Sequence, residues 1–136
     1  MMKELIKLMQ NQDQELRKLL ELLETQYNMI MSKDVFGLEG LVDKIYDCGK
    51  KIAKDEVERR NVTENRSIKE IVMESNDDEL KKLYSEIQEN LNQVIARKET
   101  NELLLKQQLV FNNKMLQLLN PNREIKTYNS YGNLSR

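Results

Sequence analysis

The amino-acid sequence predicts an all-α protein: an elongated antiparallel bundle of three main helices, one of them a very long C-terminal helix, with a short extra helix and a flexible C-terminal tail. Three observations point there. Leu, Glu, Lys and Gln, all good helix formers, dominate a chain with 5% aromatic residues and no tryptophan. The single proline, Pro121, falls only after the helical pattern has run its course. Apolar residues step by three and four through three long stretches, the spacing of a helix with one buried face. The chain reads as one helical unit over residues 1–120, followed by a tail over 121–136.

The first helix starts near Leu5, and its stripe passes through Leu5, Met9, Leu16, Leu19, Leu23 and Ile30, flanked by Leu8, Leu20 and Tyr27. Gln12 and Gln26 interrupt that stripe. In "MSKDVFGLEG", Ser32 and Asp34 offer caps for a second helix. Its stripe follows through Val35, Leu38, Leu41, Val42, Ile45 and Ile52. Gly37, Gly40 and Gly49 each weaken such a helix by roughly 1 kcal/mol relative to alanine, so packing must hold it. The pattern fades between Asp55 and Arg66, where only Val57 and Val62 are apolar. "SIKE" at 67–70 reads as a capping box opening a short helix over Ile68–Met73, and "NDDE" at 76–79 repeats the device. A long helix then runs to Leu119 and stops at Asn120, because a residue preceding proline avoids the helical region. The heptads look too broken to make a dimeric coiled coil the first choice.

Composition excludes several functions. Lys and Arg number 22 against 23 Asp and Glu, a net charge of −1 without the basic excess that nucleic-acid binding requires. No histidine is present, which removes the commonest general base and the usual bundle and zinc metal sites. Cys48 is the lone cysteine and has no histidine to activate it, so it is a poor nucleophile and fits a reducing compartment. Acidic neighbours such as Glu21/Glu24 and Asp77/Asp78 read as solvated surface and caps. "GLEG" lacks the Lys and Ser/Thr of a phosphate loop. No catalytic, cofactor-binding or metal-ligating residue is expected. No uncharged stretch approaches the ~18–20 residues of a bilayer span, and the N-terminus meets acidic residues at once, so no membrane insertion and a cytoplasmic location are expected.

The long helix changes character midway. Counted at ~100° per residue from Leu80, the residues Leu83, Tyr84, Ile87, Leu91 and Val94 fall within about 60° of zero, and Leu105, Leu109, Leu116 and Leu119 extend that stripe. A second set lies elsewhere. Leu104, Phe111, Met115 and Leu118 fall at roughly 200–260°, with Leu103 and Val110 between the two stripes. A helix apolar nearly all round is covered on more than one side. The cover is the chain itself, a second copy in a homo-oligomer, or a different protein laying a helix on this face.

At this point the sequence resembles the flagellar type III export chaperones of the FlgN type. The resemblance rests on "LLELLETQYNMIMSKDVFGLEGLVDKI" at 19–45, on "RKETNELLLKQQL" at 97–109 with Asn101 heading an Asn-x-x-Leu-Leu block, and on the tail "TYNSYGN" with Tyr128 and Gly132 four apart. The linker "RRNVTENRS" departs from the glycine often found after helix two. The resemblance implies a non-enzymatic protein without cofactors. Its implied partners are the C-terminal helical segments of hook-associated proteins of the FlgK/FlgL type, which it keeps from assembling early and delivers to the export apparatus. It also implies client binding in the C-terminal part, where Leu104, Val110, Phe111, Met115, Leu118 and Tyr128 become the expected partner-binding residues. Asn129–Gly132 reads as a type I turn. A helical-bundle adaptor or homo-oligomeric coiled coil without a client is the competing class.

Overall fold

The computed structural model describes residues 2–120, 127–128 and 134–135. Four helices follow one another: α1 (Met2–Ser32), α2 (Val35–Val62), the short α3 (Ile68–Ser75) and α4 (Asp78–Leu119), with 42 residues in the last. Two short strands, β1 (Thr127–Tyr128) and β2 (Leu134–Ser135), pair antiparallel with Tyr128 opposite Leu134. The chain divides into two compact units, Met1–Asn101 and Glu102–Arg136. The all-α expectation, with three main helices and one short one, is met. The tail expected over 121–136 falls largely outside the described residues.

Local chemistry places the breaks. α1 ends in a left-handed Lys33 (φ 59°), with the Lys33 N–H on Ile30 O and the Asp34 N–H on Met29 O, a pattern that satisfies the last free carbonyls. Asp34 then caps α2 by accepting from the Gly37 N–H at 2.9 Å. Ser32, the other expected cap, instead donates back to Met29 O. α2 reaches Val62 despite its fading apolar pattern and ends in the same kind of turn, with left-handed Glu64 and Asn65 and the Asn65 N–H on Arg60 O.

The two expected capping boxes fare differently. Ser67 makes no side-chain cap bond, so burial of Ile71 and Val72, rather than a box, holds the eight-residue α3. At "NDDE" the cap sits one residue later than expected. Asn76 adopts the left-handed conformation that closes α3, which leaves Asp77 Oδ1 to accept from the Glu79 and Leu80 N–H groups at 3.0 and 3.2 Å.

Within residues 1–101 the helices run up, down and up. α1 and α2 pack closely along their lengths, and α4 joins them through its side chains. Gln12 meets Glu56, and Cys48 meets Glu15, which fixes α2 antiparallel to α1. Asn90 meets Asp13, and Asn101 meets Leu23 and Gln26, so α4 runs parallel to α1. The core joins Leu5, Met9, Leu16 and Leu23 to Ile71 and Val72 of α3 and to Leu80, Ile87 and Val94 of α4. A groove of about 470 Å³ remains between α2, at Gly49, Ile52 and Ala53, and α4, at Tyr84, Ile87 and Leu91, with Met9 and Leu16 as its floor.

The heptads are regular, contrary to the sequence reading. On α1 the covered positions step by four and three through Leu5, Met9, Gln12, Leu16, Leu19, Leu23, Gln26 and Ile30. On α2 they run through Leu41, Ile45, Cys48, Ile52, Asp55, Arg59 and Val62. This 3.5-residue period is that of helices wound about one another in a left-handed bundle. What hid it is that several positions are polar. Several of them have partners across the seam: Gln12 donates to Glu56 Oε2 (2.9 Å), Asn90 to Asp13 Oδ1 (2.7 Å), the Asn101 amide nitrogen to Leu23 O and Gln26 Oε1 (both 2.9 Å), and Arg97 lies over the Tyr27 ring at 4.8 Å. A buried polar group so satisfied escapes most of its desolvation cost. Val35 and Val42, expected on the α2 core stripe, lie off this register and are exposed.

Candidate functional site

Five of the six expected partner-binding residues, all but Tyr128, lie on α4, and the register just described decides how they relate to the core. Two rows of sevens run along this helix. Leu80, Ile87, Val94 and Asn101 are buried, and adding sevens leads on to Gln108 and Met115. Leu83, Asn90, Arg97 and Leu104 are half-buried, and the same step leads on to Phe111 and Leu118. The four residues read as a separate stripe, Leu104, Phe111, Met115 and Leu118, are therefore the core seam itself, carried on in the same register. A flat 100° count drifts from a strict heptad by about 20° every seven residues, so over five heptads it moves one seam about 100° around the helix.

A further expectation fails because, among the described residues, nothing buries α4 beyond Asn101. Leu105, Leu116 and Leu119 were read as continuing the core, yet all three are exposed, and Leu109 is only half-buried. No residue in 102–120 is buried. Phe111 is 57% exposed, Leu118 75% and Met115 39%, with Val110 at 53% on the flank. Leu104 and Gln108 are half-buried. The structure thus keeps Leu104, Phe111, Met115 and Leu118 on one face of a continuous helix and sets Val110 beside it. The backbone of Tyr128 is paired in β1, whereas its side chain, with the turn expected at Asn129–Gly132, lies outside the described residues.

The face has little charge. Between residues 103 and 119 only Lys106 and Lys114 are ionised, and the polar positions are otherwise amides: Gln107, Gln108, Asn112, Asn113 and Gln117. An open apolar face of this kind can bind another helix by burying leucine-sized side chains in the holes between Leu104, Phe111, Met115 and Leu118.

Ionisable groups with displaced pKa values sit on α2 instead. Burial, reinforced by the Glu15 carboxylate, raises the Cys48 thiol, which is the reverse of what an activated nucleophile needs. Burial, with Glu58 and Glu15 nearby, raises Asp55. Burial would also raise Glu56, but hydrogen bonds from Arg59, Gln12 and Arg60 outweigh it and hold that carboxyl below its usual range. These are features of a packed polar seam. Among the described residues no helix is long and apolar enough to cross a membrane.

Sequence reasoning passed over Asn101 as a structural element. It is 1% exposed, and its Oδ1 has no hydrogen-bond partner. The signal was available, since Asn101 stands seven residues after Val94 in the Leu80–Ile87–Val94 row.

The FlgN family model, described as FlgN protein, matches residues 1–136. No curated protein and no solved structure matches the chain significantly. With the match covering its full length and its fold all helical, the chain belongs to the FlgN family of flagellar export chaperones.

Proposed function

We propose that this chaperone binds the C-terminal helical segments of hook-associated proteins on the α4 face formed by Leu104, Phe111, Met115 and Leu118, with Val110 at its edge and Tyr128 of the tail as a further contact. The client helix lies along 104–118 as α1 lies along 80–101, supplying the missing side of a heptad seam. Held there, the client's assembly helix is covered, which keeps it from polymerising until it is delivered to the export apparatus in the cytoplasm. The helical part, 1–120, carries the binding face, and 121–136 acts as a separate tail.

One observation carries this reading: the core seam runs on in register through residues that are open to solvent. Large apolar side chains at a fixed helical spacing, exposed together, mark a surface built to be covered. The test is a titration of the full chain with a peptide from the C-terminal helix of a hook-associated protein, by calorimetry, alongside mass measurement of the free chain. Saturable binding to a monomer, lost in Phe111→Ala, supports the reading. A stable homo-oligomer that ignores the peptide would assign the face to self-association instead.

A further inference from the structure

We propose that Asn101 is the positioning residue of the client face: it locks the register of α4 on α1 and so fixes where the seam passes from covered to open. The inference rests on the proposed client face but can be tested apart from it. Asn101 occupies the seam position that follows Leu80, Ile87 and Val94 at intervals of seven, and it is 1% exposed. Its Nδ2 donates to Leu23 O at 2.9 Å and to Gln26 Oε1 at 2.9 Å. The main-chain carbonyl of Leu23 can only accept, so the amide nitrogen is committed to that side and Oδ1 is left facing buried surroundings with no donor. An aliphatic residue would fill the same position without an orphaned acceptor. The amide therefore holds something that packing alone does not.

What it holds is the register. Strict sevens on both helices bring apolar rows face to face again when one helix is offset by a heptad, so apolar packing alone fixes the alignment weakly. Such an offset, with α3 and its two turns taking up the slack, would carry Leu104 and Phe111 towards the covered part of the seam and hide them. Asn101 opposes this offset together with the Asn90–Asp13 bond, since its amide nitrogen meets Leu23 O and Gln26 Oε1 in the observed register. A single polar residue at a core heptad position is an established way to fix alignment at the expense of stability.

The experiment uses the full chain with spin labels at Lys3→Cys and Glu99→Cys in a Cys48→Ala background, comparing Asn101 with Asn101→Leu. Wild type should give one narrow inter-helix distance. Asn101→Leu should melt higher, yet give a broad or two-peaked distance. It should also bind the hook-associated peptide about fivefold more weakly, as expected when only a fifth of the molecules hold the competent register. Gln26→Leu, which removes one of the two acceptors, should broaden the distance less. A distance in Asn101→Leu as narrow as wild type overturns the register role. Phe111→Ala in the same titration separates the two ideas. If it binds as wild type does, the client face is wrong, while the spin-label distances still decide for or against Asn101.

Discussion

Leu80 and Phe111 stand on the same helix and in the same seam system, and truncating each to alanine should have opposite consequences. Leu80 is 0% exposed and packs in the core with residues of α1 and α3. Removing a fully buried leucine side chain loses its transfer free energy and leaves a cavity, about 2–5 kcal/mol together. At roughly 3–5 °C per kcal/mol for a chain of this size, Leu80→Ala should lower Tm by about 6–25 °C. Phe111 is 57% exposed. Full burial of phenylalanine is worth about 1.5–3 kcal/mol, so the covered fraction holds about 1 kcal/mol, and Phe111→Ala should shift Tm by no more than a few degrees. In the complex the ordering reverses. A central aromatic anchor contributes about 1.4 kcal/mol or more, so Phe111→Ala should weaken binding of a hook-associated C-terminal peptide at least tenfold. Melting by circular dichroism and calorimetric titration on the same two variants supply the assay. The reasoning is refuted if Phe111→Ala unfolds the free chain as severely as Leu80→Ala, because the face would then be buried in the free protein.

Further expectations concern charge, backbone and pH. With only Lys106 and Lys114 ionised along 103–119, client affinity should change less than about tenfold across a tenfold range of salt, and a steeper slope would indicate a charge-led interface. Gly49 has open space where a Cβ would stand, so Gly49→Ala should raise stability by about 1 kcal/mol in a denaturant titration. Gly37→Ala should do the reverse, because its Cβ would fall on the carboxylate of Asp34 that caps α2, and losing that cap costs about 1 kcal/mol. Glu56 has a folded-state pKa below its unfolded value. Its contribution is thus fully present above the unfolded value and fades as pH falls through the folded one. Glu56→Gln should accordingly flatten the loss of Tm on acidification below the ordinary glutamate range, and unchanged slopes would show that the Arg59–Glu56–Gln12 cluster adds no net stability.

Helix positions were legible because propensity, caps and tertiary packing agree over most of this chain. The break at Lys33–Asp34, the short helix near 68–75 and the stop at Leu119 all follow from local signals. Where expectation and structure part, two local devices compete for the same residues. Asn76 could cap α4, but it also closes α3, and the left-handed turn that α3 needs takes it, so capping passes to Asp77. The end of α2 was obscured by its polar residues. Arg59 and Glu56 look like surface in the sequence, yet they occupy seam positions or neighbour them, and Glu56 also accepts from Gln12, 44 residues earlier. No window of sequence shows a hydrogen bond of that span.

The proposed client face shows the same limit from the other side. Its apolar residues stand out in the sequence, but as a second stripe opposite the core, because a flat 100° count treats the helix as straight. The structure has α1, α2 and α4 covering one another in sevens, and in that register Leu104, Phe111, Met115 and Leu118 need no separate explanation: they are core positions without a core. The reinterpretation changes what the partner must be. A face unrelated to the bundle could accept any apolar surface, whereas a seam of period 3.5 selects a helix that repeats its own large apolar residues by threes and fours. A client helix designed with an 11-residue repeat, equally apolar and equally helical, would drift from the seam by about 50° over every 11 residues. It should bind more weakly than a heptad peptide of the same composition. Equal affinities would show that apolar area alone, and not register, governs recognition.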